Sequence, residues 1–194
     1  GEAFFFLRLL ARLSRIAPRV RLRNLALSTD EAREALRSGA VDLTIGNLPE
    51  FDAGFYQQRL FHDYYVCVVS RDHPTIGTRF TARQFAAASH VIAMPGGTGH
   101  SIIERTLVAQ GLESRIVLRV QNFLALPSIV AASELIAIVP YSAVSQISPK
   151  NAVRLLPLPV EIPSFDVRQC WHERYHDDPG HRWLRQQFAE LFGA

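Results

Sequence analysis

Several features that would point to particular kinds of protein are scarce or missing in the sequence. It has only two cysteines, Cys67 and Cys170, each within an apolar strand-like run, so the fold does not depend on a disulfide framework. Buried free thiols are predicted, which fits a reducing cytoplasm, and a disulfide is the alternative. No run reaches the roughly 18 consecutive apolar residues of a membrane helix, so no membrane span is expected.

Lysine is nearly absent as well, since Lys150 is the only one. The net charge of +3 comes from 21 basic and 18 acidic residues, without the basic patch or stripe that is typical of a nucleic-acid surface. The first 18 residues contain Glu2 and several arginines, which excludes a signal peptide. Because the chain has no initiating Met and begins as if inside a helix, we expect it to be a fragment of a longer protein.

Motifs for catalysis and for cofactor binding are also missing. There is no G-x-S-x-G turn and no cysteine in an exposed electropositive turn, so nucleophilic catalysis finds no support. One stretch contains a cysteine and three histidines: Cys170, His172, His176 and His181. Their spacing fits no zinc pattern, and we interpret this stretch as a surface loop. No enzymatic activity, metal or cofactor is expected.

Helix and strand patterns alternate along the whole chain, which predicts an α/β fold with a parallel or mixed sheet. The predicted strands are Val20–Leu25, Val41–Gly46, Tyr64–Ser70, His90–Met94, Arg115–Val120, Leu135–Pro140, Val153–Leu156 at an edge, and Phe165–Trp171. The predicted helices are a first one ending before Pro18, then Ser28–Ser38, Phe80–Ala87, Ser101–Gln110, Pro127–Ser133, Tyr141–Gln146 and a last one after Asp178.

Helix ends and apolar stripes support these predictions. Ser28 and Glu31 form a capping box, Gly39 ends that helix, and Asp178 precedes a proline at the first position of the last helix. The stripe of the first helix is predicted to contain Phe6, Leu9, Leu10, Leu13 and Ile16. The stripe of the last helix is predicted to contain Trp183, Leu184, Phe188 and Leu191.

A glycine-rich turn, MPGGTGH, precedes the predicted helix at Ser101. It is not a phosphate loop, because it lacks the Gly-Lys-Ser/Thr ending, and it lacks the third glycine of a dinucleotide fingerprint. Ser101 and Glu104 fit a capping box, which would leave Thr98 and His100 near the positive end of a helix where a carboxylate can dock. The alternative is an ordinary capped helix behind a flexible loop.

Aromatic residues near predicted loops suggest the walls of a small-molecule pocket. The triple Phe4-Phe5-Phe6 cannot face a single core stripe; Phe6 belongs to the stripe and Phe4 or Phe5 should point elsewhere. Phe123 lies in the loop QNFLALP, and Phe51 and Phe55 flank the loop after VDLTIG. Peripheral packing is the alternative for each of them.

Three stretches resemble the sensor domains of LysR-type transcriptional regulators. They are EAREALRSGAVDLTIG, RLFHDYYVCVVSRDHP and SELIAIVP, and their spacing also fits. Together with the TGH of 98–100 and CWHERYHDDPGHRWLRQQFAELF, they are most similar to the aromatic-responsive NahR/DntR branch, whose members sense salicylate-like or nitroaromatic compounds. The resemblance covers essentially the whole chain.

This resemblance implies a two-lobe fold like that of type II periplasmic binding proteins, with two crossover strands. Residues 1–60 plus 165–194 would form the first lobe and residues 61–164 the second, with the effector in the cleft between them. It also implies an N-terminal winged helix-turn-helix that this chain lacks, so DNA would be bound through a missing domain. Association into dimers or tetramers would use the helix 28–38 and the helix 101–110 with its following strand.

The resemblance further implies which residues contact the effector. They are Phe4, Phe5, Asn47, Pro49, Asp63, Thr98, His100, Phe123, Ser142 and Trp171. Two depart from the pattern of the branch: Asp63 stands where salicylate sensors have a basic or imidazole side chain, and Ser142 stands where an arginine can occur. We hypothesise that an anionic aromatic acid binds weakly here and that the effector is neutral, phenolic or chlorinated.

The resemblance therefore predicts the cytoplasmic, non-enzymatic effector-binding and oligomerisation domain of a LysR-type regulator that senses a small aromatic compound. A periplasmic solute-binding protein of the same fold is the first alternative. An enzyme on this scaffold, such as a small dehydratase, is the second.

Overall fold

The computed structural model describes residues 2–94, 99–145 and 151–193 of the chain. These residues divide into two compact units, each of which contains helices and strands. Unit 1 contains the chain up to His62 and from Phe165 onward, together with Gly99, and unit 2 contains the described residues from Asp63 to Met94 and from His100 to Ser164. None of the helices in these ranges is long and apolar enough to cross a membrane.

The described helices and strands follow most of the predicted pattern. The helices are α1 Glu2–Ile16, α2 Thr29–Ser38, α3 Ala82–Ala87, α4 Ile102–Ala109, α5 Leu126–Ala131, α6 Tyr141–Ser145 and α7 Pro179–Phe192. The strands are β1 Thr44–Gly46, β2 Phe55–Asp63, β3 Tyr65–Ser70, β4 His90–Ala93, β5 Ile116–Val120, β6 Ile136–Pro140, β7 Val153–Pro157 and β8 Phe165–His172.

Unit 1 is built on a three-stranded sheet in the order β1-β8-β2. β1 is antiparallel to β8, with Thr44 opposite Cys170. The core lies between this sheet and the helices α1 and α7, and its buried members are Phe5, Leu9, Leu13, Leu60, Val167, Phe188 and Phe192. Removing this apolar area from water is the main stabilising contribution in the unit.

Unit 2 is built on a five-stranded mixed sheet in the order β5-β4-β6-β3-β7. β4 is parallel to β5 and β6, whereas β3 is antiparallel to β6 and β7. Every residue of β3, β4 and β6 is buried, which explains why these strands read as continuous apolar runs in the sequence. β7 lies at the edge of the described sheet, as predicted.

The predicted caps of α2 and α7 are confirmed. The Ser28 hydroxyl accepts a hydrogen bond from the Glu31 amide, and the Glu31 carboxylate accepts one from the Ser28 amide at 2.7 Å. Gly39 ends α2 in the left-handed conformation, with φ 81°, which favours glycine. Asp178 accepts a hydrogen bond from the His181 amide at 2.7 Å, with Pro179 at the first position of α7.

The stripe of α1 is predicted only in part, because Leu9 and Leu13 are buried as expected but other members are not. Phe5 is 8% exposed and packs on Phe188 and Phe192, whereas Leu10 and Ile16 are each 53% exposed. Phe5 and Leu9 lie four residues apart and share a helix face, and α7 covers that face with its own aromatic rings. Phe5 therefore belongs to the core, and Phe6 is only partly buried at its edge.

The stripe of α7 is also predicted only in part. Phe188 is buried as expected, but Trp183, Leu184 and Leu191 are only partly buried. The helix instead buries polar residues, among them His181 and Arg185, because both find hydrogen-bond partners inside the unit. Periodicity counts apolar residues and cannot detect polar side chains that are satisfied in the interior.

Three predictions about strands are corrected. The stretch 20–25 forms no strand, and Val20, Leu22 and Leu25 are exposed because no strand of the described residues pairs with it. The predicted strand 41–46 is reduced to Thr44–Gly46 and is only half-buried. No strand is predicted between Gly46 and Tyr64, but β2 spans Phe55–Asp63, because its alternating polar residues obscure the apolar pattern.

The corrected stripe of α1 can be tested by stability measurements. We expect Phe5→Ala to lower the free energy of unfolding by about 3 kcal/mol, because it leaves a cavity between α1 and α7. Leu10→Ala on the same helix should change it by less than about 0.5 kcal/mol, because that side chain is exposed. Urea unfolding of both variants measures the difference, and equal losses would contradict the assignment.

Candidate functional site

A buried carboxylate lies where the chain enters unit 2. Asp63, the last residue of β2, is 2% exposed. One of its oxygens accepts a hydrogen bond from the Ser142 hydroxyl at 2.6 Å, and the other accepts one from the Tyr64 amide at 2.9 Å. The Ser142 amide, in the first turn of α6, lies 3.4 Å from both oxygens. The two residues that depart from the family pattern therefore bind each other.

No ion pair neutralises this carboxylate within the described ranges. Its charge is balanced only by hydroxyl and amide dipoles, which favour a buried anion but do not cancel its field. A second carboxylate brought near it would be repelled strongly in such surroundings. A hydroxyl or amine that donates a hydrogen bond would be attracted.

A polar and aromatic cluster lies in the same unit around His100. The Tyr65 hydroxyl is 2.9 Å from Nδ1 of His100, and the His100 ring meets the Phe123 ring edge to face, with centroids 5.2 Å apart. Phe123 is 7% exposed and begins a short 3₁₀ turn that Asn122 caps through its side-chain oxygen. The predicted residues His100 and Phe123 are thus brought together in unit 2, next to a hydrogen-bonded polar pair.

Burial changes the protonation of this cluster. It lowers the pKa of His100 from 6.5 to about 4, so the imidazole is neutral at pH 7. Burial also raises the pKa of Tyr65, and the nearby charge of Asp63 adds to that effect. A neutral imidazole bonded to a protonated phenol carries no net charge, so this cluster provides no cation for a ligand carboxylate.

The helix start that follows the glycine-rich turn differs from the prediction. A 3₁₀ turn, Gly99–Ser101, precedes α4, and Ser101 is in the helical conformation without any side-chain cap. The predicted capping box is therefore wrong, because Glu104 binds Arg119 on β5 instead, with a shortest distance of 2.9 Å. Thr98 lies outside the described residues.

The remaining predicted residues belong to unit 1. Phe4 is half-buried and packs on Phe61 and Phe192, with ring centroids 5.3 and 5.4 Å away. Asn47 and Pro49 follow β1 in a loop, where the Pro49 carbonyl accepts a hydrogen bond from the Gln57 side chain at 2.9 Å. Phe5 lies in the core of unit 1, as described above.

Trp171 is held in a stack on the same unit. It is 6% exposed and stacks on Tyr56, with centroids 6.0 Å apart, while the Arg185 guanidinium lies 4.3 Å from its ring centroid. Its indole Nε1 is buried and has no hydrogen-bond partner in the part of the chain that the structure describes. Arg185 is fixed in turn by the carbonyl groups of Tyr175 and His176 at 3.0 and 2.8 Å.

Sequence reasoning missed Tyr65 as a partner of His100. A signal was available, because residues two apart on an extended chain point to the same face, and Asp63 had already been singled out. The pairing of Asp63 with Ser142 had no such signal, because it depends on how β6 places the start of α6.

Both cysteines are buried free thiols, as predicted. Burial raises the pKa of Cys67, and it raises that of Cys170 to about 12, so neither is a reactive thiolate at neutral pH. The interpretation of the Cys/His stretch as a surface loop is only partly right, because Cys170 lies in β8 and His181 is 6% exposed on α7. Within the described ranges, no three Cys, His, Asp or Glu side chains form a group that could hold a metal ion.

The lowered pKa of His100 predicts a pH dependence of stability. Between pH 6.5 and about 4 the unfolded chain binds a proton at this residue that the folded chain does not, so stability is complete above pH 6.5 and falls towards pH 4. One such proton contributes up to about 1.4 kcal/mol per pH unit. We expect His100→Gln to flatten the profile of unfolding free energy over this range. Parallel profiles of variant and parent in urea unfolding would contradict the assignment.

Comparisons with known proteins agree with these observations. The family model described as the LysR substrate binding domain matches residues 2–193. Over 192 residues, the chain is 35% identical to the HTH-type transcriptional activator NagR of a Ralstonia species and 33% identical to NahR of Pseudomonas putida. Each alignment covers 99% of this chain and 64% of the relative, so the chain spans less than two thirds of the length of either protein.

Solved structures show the same fold. A probable transcriptional regulator from Pseudomonas aeruginosa superposes with a TM-score of 0.83 at 27% identity, covering 97% of this chain and 62% of that one. The regulatory domain of MexT, from the same organism, superposes with a TM-score of 0.76 at 22% identity, covering 99% of this chain and 94% of that one. The predicted α/β architecture, of the type II periplasmic-binding-protein kind, is confirmed. The chain belongs to the LysR substrate-binding domain family.

Proposed function

We propose that this chain is the effector-binding domain of a cytoplasmic transcriptional regulator and that its effector is a small aromatic compound. The cluster of Tyr65, His100 and Phe123 supports this proposal most directly. It combines flat apolar walls with one fixed hydrogen-bonding group, which is the usual composition of a small-molecule site. The branch of the family that the sequence resembles responds to aromatic compounds, and no observation favours a solute-binding protein or an enzyme.

The effector is proposed to be neutral and to donate a hydrogen bond, as a phenol or chlorophenol does. The Asp63 carboxylate is buried and has no ion-pair partner among the residues that the structure describes, and His100 is neutral at pH 7. Both features disfavour a ligand carboxylate, whose own dehydration would also have to be compensated. The proposed contacts in unit 2 are Asp63, Ser142, His100 and Phe123. The proposed contacts in unit 1 are Phe4, Asn47, Pro49 and Trp171. The Phe5 ring packs edge to face against the Phe4 ring and holds it in place.

This choice of effector class can be tested with Asp63→Asn, which keeps the shape of the side chain and removes its charge. We expect phenol and 4-chlorophenol to raise the melting temperature of the parent domain more than salicylate does, because a ligand that binds only the folded state stabilises it. In Asp63→Asn, salicylate should bind at least about tenfold more tightly than in the parent, which corresponds to about 1.4 kcal/mol of relieved repulsion.

Asp52→Asn is the matched control, because that carboxylate is exposed in unit 1 and its removal should leave salicylate affinity unchanged. Calorimetric titration measures the affinities of all three proteins. Sub-millimolar binding of salicylate to the parent domain would contradict the proposed class. Failure of every aromatic acid, phenol and nitro- or chloroaromatic compound to bind would contradict the proposed function itself.

The whole protein is proposed to bind DNA through a helix-turn-helix outside this chain, because NagR and NahR are HTH-type transcriptional activators. Effector binding would change transcription only if the effector has different affinities for two states of the regulator. A promoter fusion, read with and without phenol in the presence of the full-length protein, tests this part.

The domain is also proposed to associate with further copies of itself through α2 and through α4 with β5. β5 lies at the edge of the described sheet of unit 2 and exposes Val117 and Leu118, which are 57% and 38% exposed. Val108 on the neighbouring α4 is 44% exposed. An edge strand with exposed apolar side chains is a surface that readily pairs with another chain.

This association surface predicts a change in oligomeric state. We expect Val117→Asp to weaken self-association at least about tenfold, because a charge at the interface would have to be desolvated without a partner. Sedimentation equilibrium measures the effect. Leu124→Asp serves as a control in the same unit, since Leu124 is 46% exposed and lies outside α4 and β5. An equal effect of both variants would contradict the assignment of this surface.

A further inference from the structure

Unit 2 contains a cavity that the proposed effector contacts do not explain. Its volume is about 790 Å³, within the range of small-molecule pockets. Four segments line it: the start of β3 with Tyr64, the first residue of α6, the end of β7, and the irregular chain that follows β7. The lining residues are Tyr64, Tyr65, Val66, Tyr141, Leu155, Leu156, Pro157, Leu158, Val160, Glu161, Ile162 and Pro163.

Two stacked tyrosines form one wall of the cavity. The rings of Tyr64 and Tyr141 are 5.1 Å apart and only 10° from parallel, yet these residues remain 48% and 40% exposed. Their hydroxyl groups have no hydrogen-bond partner among the described residues. A stack with an open aromatic surface can be extended by another planar ring, because offset stacking is favourable at this spacing.

The stacked pair is held rigidly by the backbone. The Tyr141 amide donates to the Tyr64 carbonyl at 2.8 Å, which continues the pairing of β3 with β6 by one step. Asp63 accepts hydrogen bonds from the Tyr64 amide and from the Ser142 hydroxyl, so it fixes the chain next to each tyrosine. Little ordering is therefore needed in this wall when a ligand binds, which favours affinity.

The charge around the cavity limits the class of ligand. Among the residues that the structure describes, Glu161 is the only charged one that lines the cavity, and no described arginine lines it. The remaining lining is aliphatic or aromatic, and it includes five half-buried side chains: Leu155, Leu156, Leu158, Val160 and Ile162. A neutral planar aromatic compound fits this lining, and an aromatic carboxylate would meet an anion without any cation.

The cavity also includes both chain connections between the units. Tyr64 follows the point where the chain enters unit 2 at Asp63, and Ile162 and Pro163 precede the point where it leaves at Ser164. We infer that this cavity is a second ligand site, distinct from the cluster around His100, which takes a neutral planar aromatic molecule stacked on Tyr64 and Tyr141. A ligand bound there contacts both connections at once. This inference does not depend on the proposed function, since Tyr65 is the only residue common to the two places.

The test compares 2-naphthol with its anionic analogue 2-naphthoate on the domain with ring-labelled tyrosines. The chain has five tyrosines, and Tyr64→Phe and Tyr141→Phe assign the two relevant NMR signals. We expect 2-naphthol to shift the ring signals of Tyr64 and Tyr141, and 2-naphthoate to bind at least about tenfold more weakly because of Glu161. The same shifts should persist in His100→Gln, which alters the other cluster.

Two variants separate stacking from charge. Tyr141→Ala should weaken 2-naphthol binding about fivefold to tenfold through loss of ring contact, whereas Tyr141→Phe should retain it. Glu161→Lys should raise the affinity for 2-naphthoate about tenfold, because it replaces the only charge of the lining by its opposite.

The inference is overturned if about 1 mM 2-naphthol leaves the Tyr64 and Tyr141 signals of the parent domain unchanged. It is overturned as well if binding disappears in His100→Gln, because the ligand would then occupy only the cluster around His100. Both results are read in proteins that keep Tyr141, so a folding defect of Tyr141→Ala does not obscure them. Failure of the proposed function gives a different result. Phenols would then raise the melting temperature of the parent domain no more than that of His100→Gln.

Discussion

The buried carboxylate of Asp63 is the constraint on which both candidate ligand sites depend. It lies at the first residue of unit 2 and accepts hydrogen bonds from the Tyr64 amide and from the start of α6 at Ser142. These bonds join the beginning of β3 to the end of β6, beyond Tyr65 and Pro140, which are the last paired residues of the two strands. A single side chain therefore fixes the direction of Tyr64, of Tyr65 and of the helix that carries Tyr141.

This arrangement explains how one residue can affect two different surfaces. Tyr65 points towards His100, and the charge of Asp63 helps to keep its phenol protonated, so the hydrogen bond of the pair is retained at neutral pH. Tyr64 and Tyr141 instead stack on each other and leave their outer faces open. Because neighbouring residues on an extended chain point to opposite faces, one carboxylate supports a polar cluster on one side and an aromatic wall on the other.

The sequence predicted most of the fold because most elements carry local signals. The runs of β3, β4 and β6, the capping box at Ser28 and the cap at Asp178 are all readable within a few residues. The errors occur where tertiary partners decide. Phe5 is core because α7 presents Phe188 and Phe192 to it, and Glu104 leaves the start of α4 because Arg119 on β5 attracts it.

The candidate site shows the same division between local and tertiary information. His100 and Phe123 could be singled out from a turn and a loop, and Asp63 and Ser142 from a departure from the family pattern. The departures looked like two independent losses of positive charge, but the structure shows a bonded pair. Because each residue satisfies the other, replacing only Asp63 by a basic residue would leave a cation facing a hydroxyl and helix amides, which cannot balance it. Placing a cation at position 63 to bind an anion therefore requires Ser142 to change as well, which single-residue reasoning about specificity would miss.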